Sequence, residues 1–140
     1  MKKYLRLILL LISAITLISG AFQLVAPSFV LNFVGASVDL TTKQFFATIG
    51  MFMFLFGGML IHALYNEDDN RVVVIWSALQ KFGASIVVVI GIIKGVFLPV
   101  AGSVAAFDFL SGILIFVYLW SLNRDKTYLD LIKKSRINTP

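Results

Sequence analysis

Four long apolar runs, separated by short polar breaks, dominate the chain. They cover about residues 5–25, 44–65, 72–98 and 100–122. Each reaches the roughly 20 apolar residues that a helix needs to cross the hydrocarbon core of a bilayer. The small and polar residues inside these runs recur at helical spacing, where residues three and four apart share a face. The first run carries Ser13, Thr16, Gly20 and Gln23 on one stripe, and the second Gly50, Gly57, Gly58 and His62. The third carries Ser77, Lys81, Ala84, Ser85, Val88 and Gly95, and the fourth Ala101, Val104, Ala105, Asp108, Ser111, Gly112 and Ile115. Helices in lipid meet through small residues and interhelical hydrogen bonds. The pattern therefore predicts an all-α fold: a single domain, residues 1–140, built as a four-helix transmembrane bundle with these stripes inward.

The connections are short. The stretch "APSFVLNFVGASVDLTTK" follows the first run. Pro27 suits a first helical position and Gly35 a helix C-terminus. Phe29, Val30, Phe33 and Val34 fall on one face, so a short amphipathic helix at the membrane surface is expected. "NEDDNR", residues 66–71, reads as a tight polar turn, and Pro99 keeps the third and fourth runs from fusing. Residues 123–140 read as a basic amphipathic tail, with Tyr128, Leu129, Leu131 and Ile132 toward the bilayer and Lys133, Lys134 and Arg136 toward headgroups. The first run has a rival reading. Its basic start, apolar core and small residues at Ser19 and Ala21 have the shape of a secretory signal peptide. The apolar stretch continues to Ala26, which favours a retained span.

Composition agrees with the pattern. Hydrophobic residues make up 59% of the 140 and charged residues only 14%, against about 25% charged in a soluble domain. The chain contains no cysteine and one histidine, which excludes disulfides, thiolate chemistry and a multi-histidine metal site within one chain. The net charge of +5 does not imply a nucleic-acid partner here, because Lys and Arg gather on the cytoplasmic side of membrane proteins. Lys2, Lys3, Arg6, Arg71, Arg124, Lys126, Lys133, Lys134 and Arg136 fall on one side, and Lys43 and Lys94 on the other. Both termini are thus expected in the cytoplasm, in a bacterial inner membrane. Tyr65, Trp76, Tyr118 and Trp120 gather near that same interface as an aromatic belt.

Two charges lie deep inside the runs, away from their ends, Lys81 and Asp108. A charged residue at the centre of a spanning helix costs roughly 2.5–3.5 kcal/mol on insertion scales, and such residues face the bundle interior. Lys81 has a structural role open to it, fixing register or snorkelling to the interface, and a functional one, holding a polar or anionic ligand or relaying protons. A hairpin folded around Pro99 sets Asp108 level with about Gly91. Lys94 is then the nearer partner by height, and Lys81 by face, and the choice stays open. The candidate ligand-binding residues are Lys81, Asp108, His62, Gln80, Ser77 and Ser111, with Lys94 and Asp108 as a possible charge pair. Gly91 and Gly95 stand at GxxxG spacing and suggest a close helix contact. No phosphate loop, metalloprotease motif or nucleophile elbow is present, and the acidic cluster Glu67, Asp68 and Asp69 lacks the pattern of a calcium loop and reads as a solvated turn. No enzymatic activity, cofactor or metal is expected.

Three stretches, "LISGAFQLVAPSFVLNFVG", "WSALQKFGASIVVVIGIIKG" and "AFDFLSGILIFVYLW", resemble the BphX-like group of small four-helix bacterial membrane proteins, itself distantly similar in plan to DoxX-type proteins. Trp76, Lys81 and Asp108 lie in the matching stretches. The resemblance implies four spans in a bacterial inner membrane and carries no established activity. Besides the lipid bilayer, the partner suggested by small size and the lack of catalytic groups is a larger membrane-protein complex or a homo-oligomer, with the chain as an accessory or structural subunit. The alternative is a binding or transport protein that holds a small amphiphilic molecule in the bundle interior with Lys81 and Asp108. A weaker third reading makes His62 a haem ligand.

Overall fold

The computed structural model describes the backbone of residues 2–66 and 71–137, and side chains as far as residue 122. Among the described residues every regular element is helical: α1 (Lys2–Val25), α2 (Pro27–Val34), α3 (Leu40–Tyr65), α4 (Arg71–Ile93), a 3-10 turn (Pro99–Ala101) and α5 (Gly102–Ile137). Four stretches are long and apolar enough to cross a membrane, and the chain is a multi-pass integral membrane protein. Its outer surface is apolar, with Val87 and Ile93 exposed at 64% and 78%, a surface that hydrocarbon solvates and water does not.

α2 forms where expected. Pro27 opens it, and Gly35 closes it at φ 72°. There Gly35 N–H donates to Asn32 O and Ala36 N–H to Leu31 O, the Schellman arrangement that satisfies the last carbonyls. Leu31 and Val34 turn inward and Phe29 and Phe33 outward.

Three boundaries differ from the sequence reading. α3 starts at Leu40 rather than near Gln44, because the Asp39 carboxylate accepts the Thr42 N–H and caps a polar first turn. The same bonds from Thr42 hold the Asp39 carboxyl below its ordinary value. α4 ends at Ile93 rather than Leu98: Gly95 adopts φ 69°, with Gly95 N–H donating to Ile92 O and Val96 N–H to Gly91 O, a second Schellman end. α5 runs for 36 residues, roughly 54 Å at 1.5 Å per residue, well beyond a hydrocarbon core of about 30 Å. The tail is therefore a continuation of the last helix and not a separate surface element, and the side chains that would make it amphipathic lie outside the described residues, as do Glu67, Asp68 and Asp69.

α1 packs chiefly on α3, and α4 on α5; α1 and α5 join the two pairs. The α1–α3 seam is backbone on backbone. A Cβ on Gly20 would meet Phe54 N and lie 2.7 Å from Gly50 O, and one on Gly57 would lie 2.8 Å from Leu17 N. Apolar side chains fill the end of the bundle nearer the termini: Leu9, Ile12, Leu60, Leu64, Val74, Ala78 and Ile115. Tyr65, Trp76 and Trp120 stand exposed around that end, with Arg6 stacked over Tyr65.

The other end is tied together by α2. Leu98 N–H donates to Val34 O at 2.8 Å, and the Leu98 side chain occupies the space a Cβ on Gly35 would need. Gly35 and Gly95 share a left-handed backbone, which costs an L-residue about 1–2 kcal/mol, but nothing lies within 4 Å of a Cβ on Gly95. Gly35→Ala should therefore lower the unfolding temperature in detergent more than Gly95→Ala; equal losses would show that the Leu98 contact carries no weight.

Candidate functional site

Lys81 and Asp108 meet. Lys81 Nζ lies 2.6 Å from Asp108 Oδ1, and both residues are 3% exposed. The helices bring them together through small neighbours. Ser77, Ala78 and Ser85 clear the inward face of α4, and Ala105, Ser111 and Gly112 that of α5. A Cβ on Gly112 would lie 3.0 Å from the Phe82 ring, so the ring fits because the glycine is there. The ammonium also lies 5.1 Å from the centroid of the Phe107 ring, within cation–π range.

The partner of Asp108 is thus Lys81. Lys94 is exposed, just past the last residue of α4. The height argument that favoured Lys94 took Pro99 as the pivot. The hairpin turns at Gly95, and the chain descends through residues 94–98 and a 3-10 turn before α5 starts. These segments rise more per residue than an α-helix. Asp108 is consequently level with Lys81 after only six residues of α5, while α4 runs twelve residues beyond Lys81.

The remaining candidates divide. Ser77 and Ser111 are buried beside the pair at 3% and 2% exposure, and Gln80 is half-buried. Ser77 Oγ has no hydrogen-bond partner. It borders a void of about 10 Å³ together with Ser13, Thr16, Gln80 and Lys81, close to the smallest space that holds one water. His62 is not in the site. It is exposed, because α3 turns Gly57, Leu60 and Leu64 inward and His62 stands two residues, about 200°, around from Leu60. The GxxxG pair is not a helix seam either. Gly91 makes room for the Phe97 ring, and Gly95 ends the helix in open space.

A cleft of about 370 Å³ lies between α1 and α5, under α2. Its walls are largely apolar, with Ile18, Phe22, Val30, Phe33, Val104 and Phe107 prominent. Ile18, Phe22 and Phe33 are more than half exposed, so the cleft opens sideways, in the direction of the lipid. Lys81 and Asp108 are part of its wall, as are Thr16, Ser19, Gln23 and Ser103. Gln23 Oε1 is buried without a partner. The sequence reading set Gln23 on the inward stripe of α1 but did not name it as a candidate; an amide among twenty-odd apolar residues was the signal. Ser19 and Phe107 had none.

The arrangement can hold a polar group at the charge pair while apolar walls hold a chain. A buried ion pair is weak evidence for stability, since desolvation of two charges can exceed their attraction. No family model, no curated protein and no solved structure matches the chain.

Proposed function

We propose that the protein is a binding protein of the bacterial inner membrane, with both termini cytoplasmic and no chemistry of its own, that takes a small amphipathic molecule from the bilayer into the cleft between α1 and α5. The observation that carries this reading is that Lys81 and Asp108, the two buried charged residues among those described, form part of the wall of a cavity open toward lipid. A pair serving only helix register needs no opening beside it. The volume, about 370 Å³, is in the usual range for small-ligand sites, and a tail can leave through the lateral opening. The resemblance to BphX-like proteins is compatible with this and assigns no ligand.

The test is native mass spectrometry of the full chain released from mild detergent. A reproducible small adduct is expected on the wild-type protein and is expected to vanish in Val104→Phe, which adds bulk to the cleft wall and keeps both members of the charge pair. An adduct that survives Val104→Phe would move the ligand elsewhere. A bare chain that appears only with a second polypeptide would favour the accessory-subunit reading instead.

A further inference from the structure

We infer that the cleft selects an uncharged head that donates hydrogen bonds, an alcohol or a primary amide, rather than an anion. The inference rests on the binding reading above and names the class of its ligand. The first argument is charge. Lys81 is the cation of the site, yet its ammonium already lies 2.6 Å from Asp108 Oδ1 and rests on the Phe107 ring. The lysine and aspartate charges sum to zero. An anionic head approaching Lys81 would stand beside the Asp108 carboxylate, and a cationic head would compete with Lys81 for it. Inside a low-dielectric cleft both are costly.

The second argument is a count of protons. Thr16 Oγ1 donates its proton to Ile12 O at 2.9 Å, and Ser103 Oγ donates to Val100 O at 2.7 Å. Each hydroxyl is left with acceptor lone pairs only. Asp108 is an acceptor, and Gln23 Oε1 is a buried acceptor with no donor. The wall also holds donors: two Lys81 N–H beyond the one on Asp108, the Gln23 amide N–H pair and the Ser19 hydroxyl. Its buried atom without a partner among the described residues is an acceptor, Gln23 Oε1, so a head that both donates and accepts fits it best. Buried acceptors without a donor are costly, so a ligand that brings a proton is favoured over one that brings only lone pairs. The terminal torsion of a glutamine is broad and soft, so Gln23 can turn its amide to meet a hydroxyl. An ether, ester or ketone head can accept from those donors but leaves Gln23 Oε1 without one.

The experiment titrates the full-length wild-type chain in mild detergent with hexadecanol, hexadecyl methyl ether and hexadecyl phosphate, read by native mass spectrometry. Hexadecanol is expected to saturate a single site and to bind about tenfold or more tightly than the ether or the phosphate. Gln23→Met keeps the length of the side chain and removes its amide. It is expected to weaken hexadecanol about tenfold and leave the ether unchanged. Should Gln23→Met fail to fold, the wild-type ranking of the three probes decides alone. An ether that matches the alcohol, or a phosphate that exceeds it, overturns the inference; if Val104→Phe abolishes that binding, the cleft reading stands without it. If none of the probes saturates the wild-type chain, the inference fails. Loss of the native adduct in Val104→Phe would then keep the cleft reading, and its persistence would remove that too.

Discussion

Lys81→Met is expected to destabilise the bundle by about 3–5 kcal/mol, the cost of leaving one member of a buried pair without its partner. Asp108 is 3% exposed, so a carboxylate left without its lysine stays out of bulk water. The informative comparison is the double variant Lys81→Met with Asp108→Leu. Replacing a buried pair by apolar residues of similar size is often neutral or stabilising, so the double variant should recover most of what the single one loses. Denaturant unfolding in mixed micelles, followed by circular dichroism, gives both numbers. A single variant that costs under about 1 kcal/mol would mean that the ion pair does not hold the two helices together. A double variant as unstable as the single would mean that Lys81 stabilises through packing rather than charge. The double variant also has a use in binding work, because it removes the charges while keeping the fold.

Gly50→Ala is expected to force α1 and α3 apart. Its new Cβ would lie 2.6 Å from Gln23 Cβ, 2.7 Å from Leu24 N and 2.8 Å from Gly20 O. Two of these neighbours are backbone, which cannot rotate away. Overpacking of this kind costs typically about 1–3 kcal/mol. Gly20→Ala attacks the same contact from the other helix, so the two losses should not add. Gly83→Ala is the control. Nothing lies within 4 Å of its Cβ, and an alanine in a helix interior is favoured over glycine by about 0.5–1 kcal/mol. Thermal unfolding of the three single variants and the Gly20–Gly50 double should rank Gly83→Ala above wild type and the others below. A wild-type melting temperature for Gly50→Ala would show that the seam is softer than its geometry.

The inward faces were legible in the sequence because lipid makes them so. In a chain where Phe, Ile, Leu and Val cover the outside, Ser13, Thr16, Ser77, Lys81, Asp108 and Ser111 stand out, and all six are buried. What the pattern does not carry is height. The register of Lys81 against Asp108 depends on where α4 stops, and Pro99 was the more conspicuous signal than Gly95. His62 was misplaced for a related reason. It follows Gly58 by one helical turn, but Gly58 sits at the margin of the buried face, so the extrapolation carried the histidine to the outside. The GxxxG spacing of Gly91 and Gly95 misled because a glycine near a helix end has a second use, closing the helix. The cleft itself has no sequence signature. It is lined by residues from α1, α2 and α5 that lie far apart in the chain, so no local pattern announces it.

The glycine seam has a mechanical meaning. At Gly20, Gly50 and Gly57 the two helices meet with little side chain between them to repack, so α1 and α3 form one packed unit. The Lys81–Asp108 pair fastens α4 to α5 as a second. The mouth of the cleft is bounded by α1 on one side and α5 on the other, one from each unit. The Val34–Leu98 hydrogen bond straps α2, which follows α1, to the turn that precedes α5, and so fastens one unit to the other at that end.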